Sequence, residues 1–554
     1  MRQMSLRCML QAPQVDFENS FLRSKSLWVA ITLALWLGTT WVFWVGYAGN
    51  DDLFYARYAF RFDRPPINWW EFRIPVILAM RASFLAFGLS EIAASLPTLL
   101  ASLAILASVA WFVDWPRRLN WQTQASVILA SVIPLEAGSR SVPGGASHLS
   151  AGFLAVGTVC MLKGVGRTRY LGAPLLAVGF LTHEVSFFCV AMICLVALAF
   201  DWRRFWGPVL ACVAVSGCAF LAECLAYQVL LGDPLARHGM AAQSLARDSM
   251  VAQSMGSMTA CFDPASGIGG WYYFAWPIKN LFFCKCFGFD LIALLVTGIV
   301  AWKRLSMEQR VLFASTFLIW LWLGYGTMVP WAYMPLYRAF DYYQPLTLGI
   351  AALLPWTLRC TLARRERLAQ GVVAVAILVH LACLAGTGRQ GQAVDVSREL
   401  LAYAREHSDQ TFLTDVATMN QMYVVGGFRL PANVVCLNGP AVDRHLLVNK
   451  EPPDRPRFHF PEVPIDNILL NLEGISRSNY FNQIPGSHWW QSRSIPSKGW
   501  QEPDFFGYLE EHGAGRVRIA PVRYRLLFLP LIPLIGPKDS LVKSLGGEVV
   551  RVQR

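Results

Sequence analysis

The stretch Ser26–Ala59, SLWVAITLALWLGTTWVFWVGYAGNDDLFYARYA, decides how the rest of the chain is read. Residues 26–48 form an apolar run without a charged side chain. At 1.5 Å per residue such a run crosses the roughly 30 Å of hydrocarbon in a bilayer. It is longer than the core of a signal peptide, so it reads as an uncleaved signal anchor. Directly beyond it stand two adjacent carboxylates, Asp51 and Asp52. Two acids side by side at a membrane surface repel each other and are costly to desolvate, so their position points to chemistry rather than to solubility.

Composition places the whole chain in the same frame. Of its 554 residues, 55% are apolar, 13% aromatic and only 15% charged, with a mean hydropathy of +0.39. Lipid is the main solvent of such a chain. A net charge of +12 would suggest nucleic acid in a soluble domain. Here the basic residues fall between apolar runs, where they orient the spans, and no nucleic-acid partner is expected.

Ten more apolar runs follow the first, at 92–113, 121–138, 146–162, 170–182, 186–200, 207–230, 281–301, 311–328, 343–358 and 371–387. Basic clusters alternate with them: Arg2, Arg7, Arg23 and Lys25; Arg117 and Arg118; Lys163, Arg167 and Arg169; Arg203 and Arg204; Lys303, Arg304 and Arg310; Arg359, Arg364, Arg365 and Arg367. Lys and Arg stay on the cytoplasmic side in short loops. The expected fold class is therefore an all-α polytopic membrane protein of about 11 transmembrane helices with a C-terminal extracytoplasmic α/β domain. Residues 1–25 form a cytoplasmic tail and 26–387 the membrane domain, with outer loops at 49–91 and 231–279. Residues 388–554 form a soluble outer domain. The expected location is the inner membrane of a bacterial cell envelope.

Two places strain this scheme. Residues 65–90 carry Pro65, Pro66, Trp69, Trp70, Arg73 and Arg81 around a short apolar stretch, which suits a helix lying in the membrane interface. The segment 170–200 is flanked by basic loops on one side of the membrane, so it must cross and return around His183 and Glu184. Each arm reaches roughly 20 Å, too short for the bilayer, so the turn should lie at membrane depth in protein or a watery cavity.

After residue 388, Pro, Gly, Asn, Asp and charge become common. Val396–Glu406 and Val416–Tyr423 read as helices, and Gln410–Thr414 and Asn433–Leu437 as strands of a small α/β unit. Leu526–Ile535 is apolar but holds Pro530 and Pro533, so it reads as a buried or membrane-touching segment rather than a span. The cysteines form no framework. Cys160, Cys189, Cys194, Cys212, Cys218, Cys224 and Cys383 fall in proposed spans, where a small polarizable residue packs between helices. Cys284 and Cys286 lack a second ligand pair, and Cys261 has no evident disulfide partner.

A first span, an outer loop opening Asp51-Asp52-Leu53-Phe54-Tyr55-Ala56, and a tryptophan-rich juxtamembrane stretch together resemble the GT-C superfamily of integral-membrane glycosyltransferases. That group includes the protein O-mannosyltransferases, the aminoarabinose transferases that modify lipid A, and the oligosaccharyltransferase catalytic subunits. The resemblance implies transfer of a sugar from a lipid-phosphate-linked donor of the polyprenyl-phosphate type. The acceptor would be an extracytoplasmic glycan, lipid or protein, and membrane lipids would surround the site. Asp51 would serve as general base, with Asp52 orienting the acceptor or holding a divalent cation, and Tyr55 of the same motif would face substrate. No other cofactor is implied.

Further polar residues on the outer side are candidates to complete the site. Glu136, Arg140 and His148 fall in the second outer loop, where related enzymes place substrate-binding groups. His183 and Glu184 sit at the recessed turn, where ionisable groups are expensive and face a cavity. Arg338, in Leu336-Tyr337-Arg338-Ala339-Phe340-Asp341-Tyr342-Tyr343-Gln344-Pro345, resembles an Arg and aromatic cluster of GT-C members, and a guanidinium suits phosphate. The loop 231–279 could cover the site as a lid. The competing class is a multi-pass transporter or lipid flippase of the envelope. Against it stands the absence of an internal repeat or of paired Gly/Pro-broken spans.

Overall fold

The structure, a computed structural model, describes residues 25–47, 51–63, 65–66, 69–239, 288–329, 332–335, 340–387, 392–436, 464–471, 512–520, 524–526, 541–543 and 547–553. Helices dominate them: α1 (Lys25–Val42), α2 (Asp51–Arg61), α3 (Ile74–Phe87), α4 (Glu91–Phe112), α5 (Trp121–Val132), α6 (Pro134–Ser139), α7 (Ala146–Lys163), α8 (Gly172–Thr182), α9 (Val185–Leu231), α10 (Gly288–Ala301), α11 (Met307–Tyr325), α12 (Leu346–Thr361) and α13 (Glu366–Thr387). Among the described residues, five helices are long and apolar enough to cross a membrane: α1, α4, α7, α9 and α13. Their outward faces keep large apolar side chains uncovered, such as Leu37 and Trp41 on α1, Leu225 and Val229 on α9, and Val375 and Leu378 on α13. Helices apolar on every face belong in lipid. Inside, one apolar core joins the helices through Val109, Leu129, Val159, Leu176, Ile193, Leu294, Ile350 and Leu353.

The apolar run 121–138 is two helices rather than one. Pro134 has no N–H to give and keeps the preceding residue out of the helical region, so α5 ends at Val132. Ile133 turns the chain at φ −54, ψ 121, and Pro134 opens α6. The 47-residue α9 breaks where the apolar runs 186–200 and 207–230 are parted, at Asp201, whose backbone leaves the helical region at φ −153, ψ 80. The Asp201 Oδ1 accepts the Arg204 N–H at 3.1 Å, as a helix N-cap does, and so restarts the second arm. α8 has 11 residues, about 17 Å of helix, and the turn at His183 and Glu184 that follows it is buried. The juxtamembrane stretch forms the 14-residue α3.

Beyond α13 come α14 (Gln392–Glu406), β3 (Phe412–Thr414), α15 (Val416–Val425), β4 (Val434–Cys436), β5 (Asn467–Asn471), β6 (Gly513–Ala520) and β9 (Gly547–Val552). The strands form one sheet in the order β4-β3-β5-β9-β6. β3 pairs in parallel with β4 and β5, placing Leu413 opposite Val435 and Ile468, whereas β5 and β6 run antiparallel to β9. Two short ribbons stand apart from this sheet, β1 (Thr327–Val329) with β2 (Ala332–Pro335), and β7 (Tyr524–Leu526) with β8 (Leu541–Lys543). Leu400, Leu401 and Ala404 of α14 pack on Phe412, Met422, Leu469 and Val549 to give this unit its own core.

A second cluster binds the unit to the membrane domain. Val394, Val424 and Phe428 enter an apolar group made by Tyr55, Ala56, Tyr58 and Ala59 of α2 with Ile77, Met80 and Phe84 of α3. Cys160, Cys189, Cys194, Cys212 and Cys383 are buried, while Cys218 is exposed and Cys224 half-buried. Cys261, Cys284, Cys286 and the apolar segment after Leu526 lie outside the described residues.

Candidate active site

α2 begins at Asp51, whose side chain lies outside what the structure describes. Asp52 is buried at 3% exposure. Asp52 and Tyr55 are three residues apart on a helix and share one face. Tyr55 reaches its place because the α6–α7 loop gives way to it: a Cβ on Gly144 would lie 2.6 Å from the Tyr55 ring, and Gly144 has φ +61. Only glycine meets both demands.

From Tyr55 the site extends as a ladder of charges. Arg73, the residue before α3, donates one guanidinium nitrogen to the Tyr55 hydroxyl and another to Glu184 Oε2 at 3.1 Å. Glu184 Oε1 receives Arg237 Nε at 3.1 Å and Nη2 at 2.9 Å. Arg237 Nη1 continues to Glu223 Oε1 at 2.7 Å. The guanidiniums of Arg73 and Arg237 flank the Glu184 carboxylate and offset the cost of burying it. Burial alone would lower the Arg237 pKa, yet Glu184 and Glu223 raise it, so its guanidinium stays charged. The ladder thus joins two carboxylates and two guanidiniums.

His183 stands beside it. Its ring meets the Tyr342 ring edge-on at 5.0 Å, and its Nδ1 accepts the Val185 N–H at 3.3 Å. That bond leaves Nε2 to carry the proton of the neutral ring. Only a neutral ring can accept a bond at one nitrogen, so His183 can donate one hydrogen bond through Nε2 without adding charge.

Glu136, Arg140 and His148, assigned from sequence to the second outer loop, are all buried. The break at Pro134 turns α6 inward, so Glu136 and Arg140, one helical turn apart, pair with each other inside the helix bundle. Arg140 also donates to the Ser131 carbonyl at 2.7 Å, the Trp36 carbonyl at 3.2 Å, and the hydroxyls of Thr39 and Thr40 at 3.3 and 3.2 Å. Ser102 donates to Glu136 and receives the Trp36 indole N–H at 2.8 Å. His148 Nε2 lies 3.8 Å from Glu136. This knot ties α1, α4, α5 and α6 together and uses its charges internally.

Of the residues expected in the site, the structure therefore brings Tyr55, Glu184 and its neighbour His183 together. It adds Arg73, Arg237 and Glu223, whose partners no local pattern specifies. Glu223 carried a signal nonetheless, being the only charged residue in the run 207–230. Arg338 and the loop from residue 240 lie outside the described residues. Among the described residues, no three His, Cys, Asp or Glu side chains converge as a metal site requires.

No family model matches the chain, and no curated protein matches it. Among solved structures it is similar to ArnT from Cupriavidus metallidurans in the apo state, with a TM-score of 0.48 and 13% identity over 95% of this chain and 97% of that one. It is also similar to the same ArnT bound to undecaprenyl phosphate, with a TM-score of 0.47 and 12% identity over the same shares of the two chains.

Proposed function

We propose that the protein is a membrane glycosyltransferase that moves a sugar from a polyprenyl-phosphate-type lipid donor to an extracytoplasmic acceptor. One observation carries this reading. The acidic helix α2, placed directly after the first apolar helix, leans through Tyr55 on a buried ladder of Arg73, Glu184 and Arg237. That juxtaposition pairs the two chemistries such a transfer needs. An acceptor hydroxyl attacks the anomeric carbon while its proton passes to the Asp51 carboxylate. The bond from that carbon to the phosphate oxygen breaks, and the lipid phosphate departs as an anion. Arg73 and Arg237 stabilise the departing charge in a water-poor site, with the His183 Nε2–H as a neutral donor. Glu184 keeps two like-charged guanidiniums together before the donor arrives. Asp52 orients the acceptor or holds a divalent cation.

The test is transfer in proteoliposomes supplied with polyprenyl-phosphate sugars. Asp51→Asn should insert normally and lower transfer by about 100-fold, with Asp52→Asn less affected. Near-normal turnover in Asp51→Asn sinks the assignment of the base. A transporter would leave the donor unconsumed even in the unaltered protein.

A further inference from the structure

The C-terminal α/β unit holds the acidic helix at two points and reaches the chain before it at a third. Ahead of the helix, Arg398 of α14 pairs with Glu91 of α4, and the same Glu91 Oε1 accepts the Tyr47 N–H at 2.6 Å. In the middle, Arg57 of α2 reaches Asn420 of α15 at 3.5 Å, both side chains buried. At the far end, Phe428 stacks on Phe60 of α2 with ring centroids 4.4 Å apart and planes within 9°. Phe428 also meets Phe84 of α3 edge-on at 5.9 Å and Tyr423 of its own unit at 5.6 Å.

Phe428 is unusual in its backbone as well. It has φ +62, in the tight turn closing α15, where its N–H bonds the Tyr423 carbonyl at 2.8 Å. A bulky side chain in the left-handed region is disfavoured, and a turn needing only that geometry would be served better by glycine. Strain of this kind persists where the surroundings over-determine it. Here the surroundings include the aromatic rings of α2 and α3, so the strain is held in part by contacts outside the unit that carries it.

We propose that the C-terminal unit is a positioning partner for α2 and that Phe428 is the positioning residue through which it acts. This rests on the functional reading above only in taking α2 as the helix that bears the acids. A catalytic carboxylate displaced by about 1 Å can cost roughly 100-fold in rate, so a ring that fixes the far end of a three-turn helix acts on the chemistry without touching substrate.

The experiment uses the full chain in lipid nanodiscs and two readouts, hydrogen exchange by mass spectrometry and transfer kinetics. Phe428→Gly keeps the left-handed turn and removes the ring. Amides of residues 51–61 should then exchange about tenfold faster while those of α14 and α15 are unchanged. The kcat for transfer should fall about 10-fold to 100-fold with the donor KM nearly constant. Phe428→Tyr, which keeps the ring, should restore both. Unchanged exchange of α2 in both Phe428→Gly and Phe428→Ala overturns the proposal. Faster exchange with undiminished transfer overturns the positioning role, although the contact itself stands. If Asp51→Asn is silent, the functional reading fails, while exchange of α2 still decides whether the unit clamps the helix.

Discussion

Two carboxylate–arginine networks buried in the protein are built in opposite ways. Glu136 lies on one short helix that Arg140 caps four residues on, and the carbonyls and hydroxyls around them accept from the arginine's Nη1 and Nη2. Glu184, by contrast, draws Arg73 from the start of α3 and Arg237 from beyond α9. The first network closes on itself and stabilises the helix bundle. The second assembles groups from distant segments beside the acidic helix. Buried charge alone does not identify a site, because a buried pair is weak evidence even for stability. What distinguishes the ladder is where its members come from and which helix it touches.

Removing both charges of a pair while keeping volume separates the two networks by function, since such swaps are often neutral for folding. Glu184→Gln with Arg73→Met should lower transfer by about 100-fold with little change in thermal midpoint. Glu136→Gln with Arg140→Met should keep transfer within about threefold of normal. Equal losses in both would erase the distinction. A single change probes the knot differently. Arg140→Met alone strands the Glu136 carboxylate in the bundle and should cost about 3–5 kcal/mol of stability, read as a lower midpoint in detergent. Transfer per folded molecule should be retained.

Much of the fold is legible in the sequence because apolar runs and turn chemistry are local. The unit after α13 shows this: helices at 396–406 and 416–423 and strands at 410–414 and 433–437 coincide with α14, α15, β3 and β4. β5 escaped because Asn467–Asn471 is buried at every position, so no alternation marks it as a strand. The run 121–138 misled because a continuous apolar stretch conceals the break that Pro134 imposes. The acidic pair and the recessed turn are visible from their positions relative to the spans. Arg73 and Arg237 are visible only as charges, because their pairing with Glu184 is a tertiary fact. Phe428 left no trace, since nothing local distinguishes a ring bound for another unit's core.

Gly46 shows how narrowly one atom can govern such an arrangement. It has φ +66, and a Cβ there would fall on the carboxylate of Glu91, the group that holds both the Tyr47 N–H and Arg398. A methyl group added at the end of the first apolar run would evict that carboxylate and so be felt in the C-terminal unit. Residue choices at 46, 91 and 398 are therefore not independent. A relative that carries a side chain at the first of these positions must have rebuilt the other two, and that linked substitution is a mark of kinship that can survive when overall identity has faded.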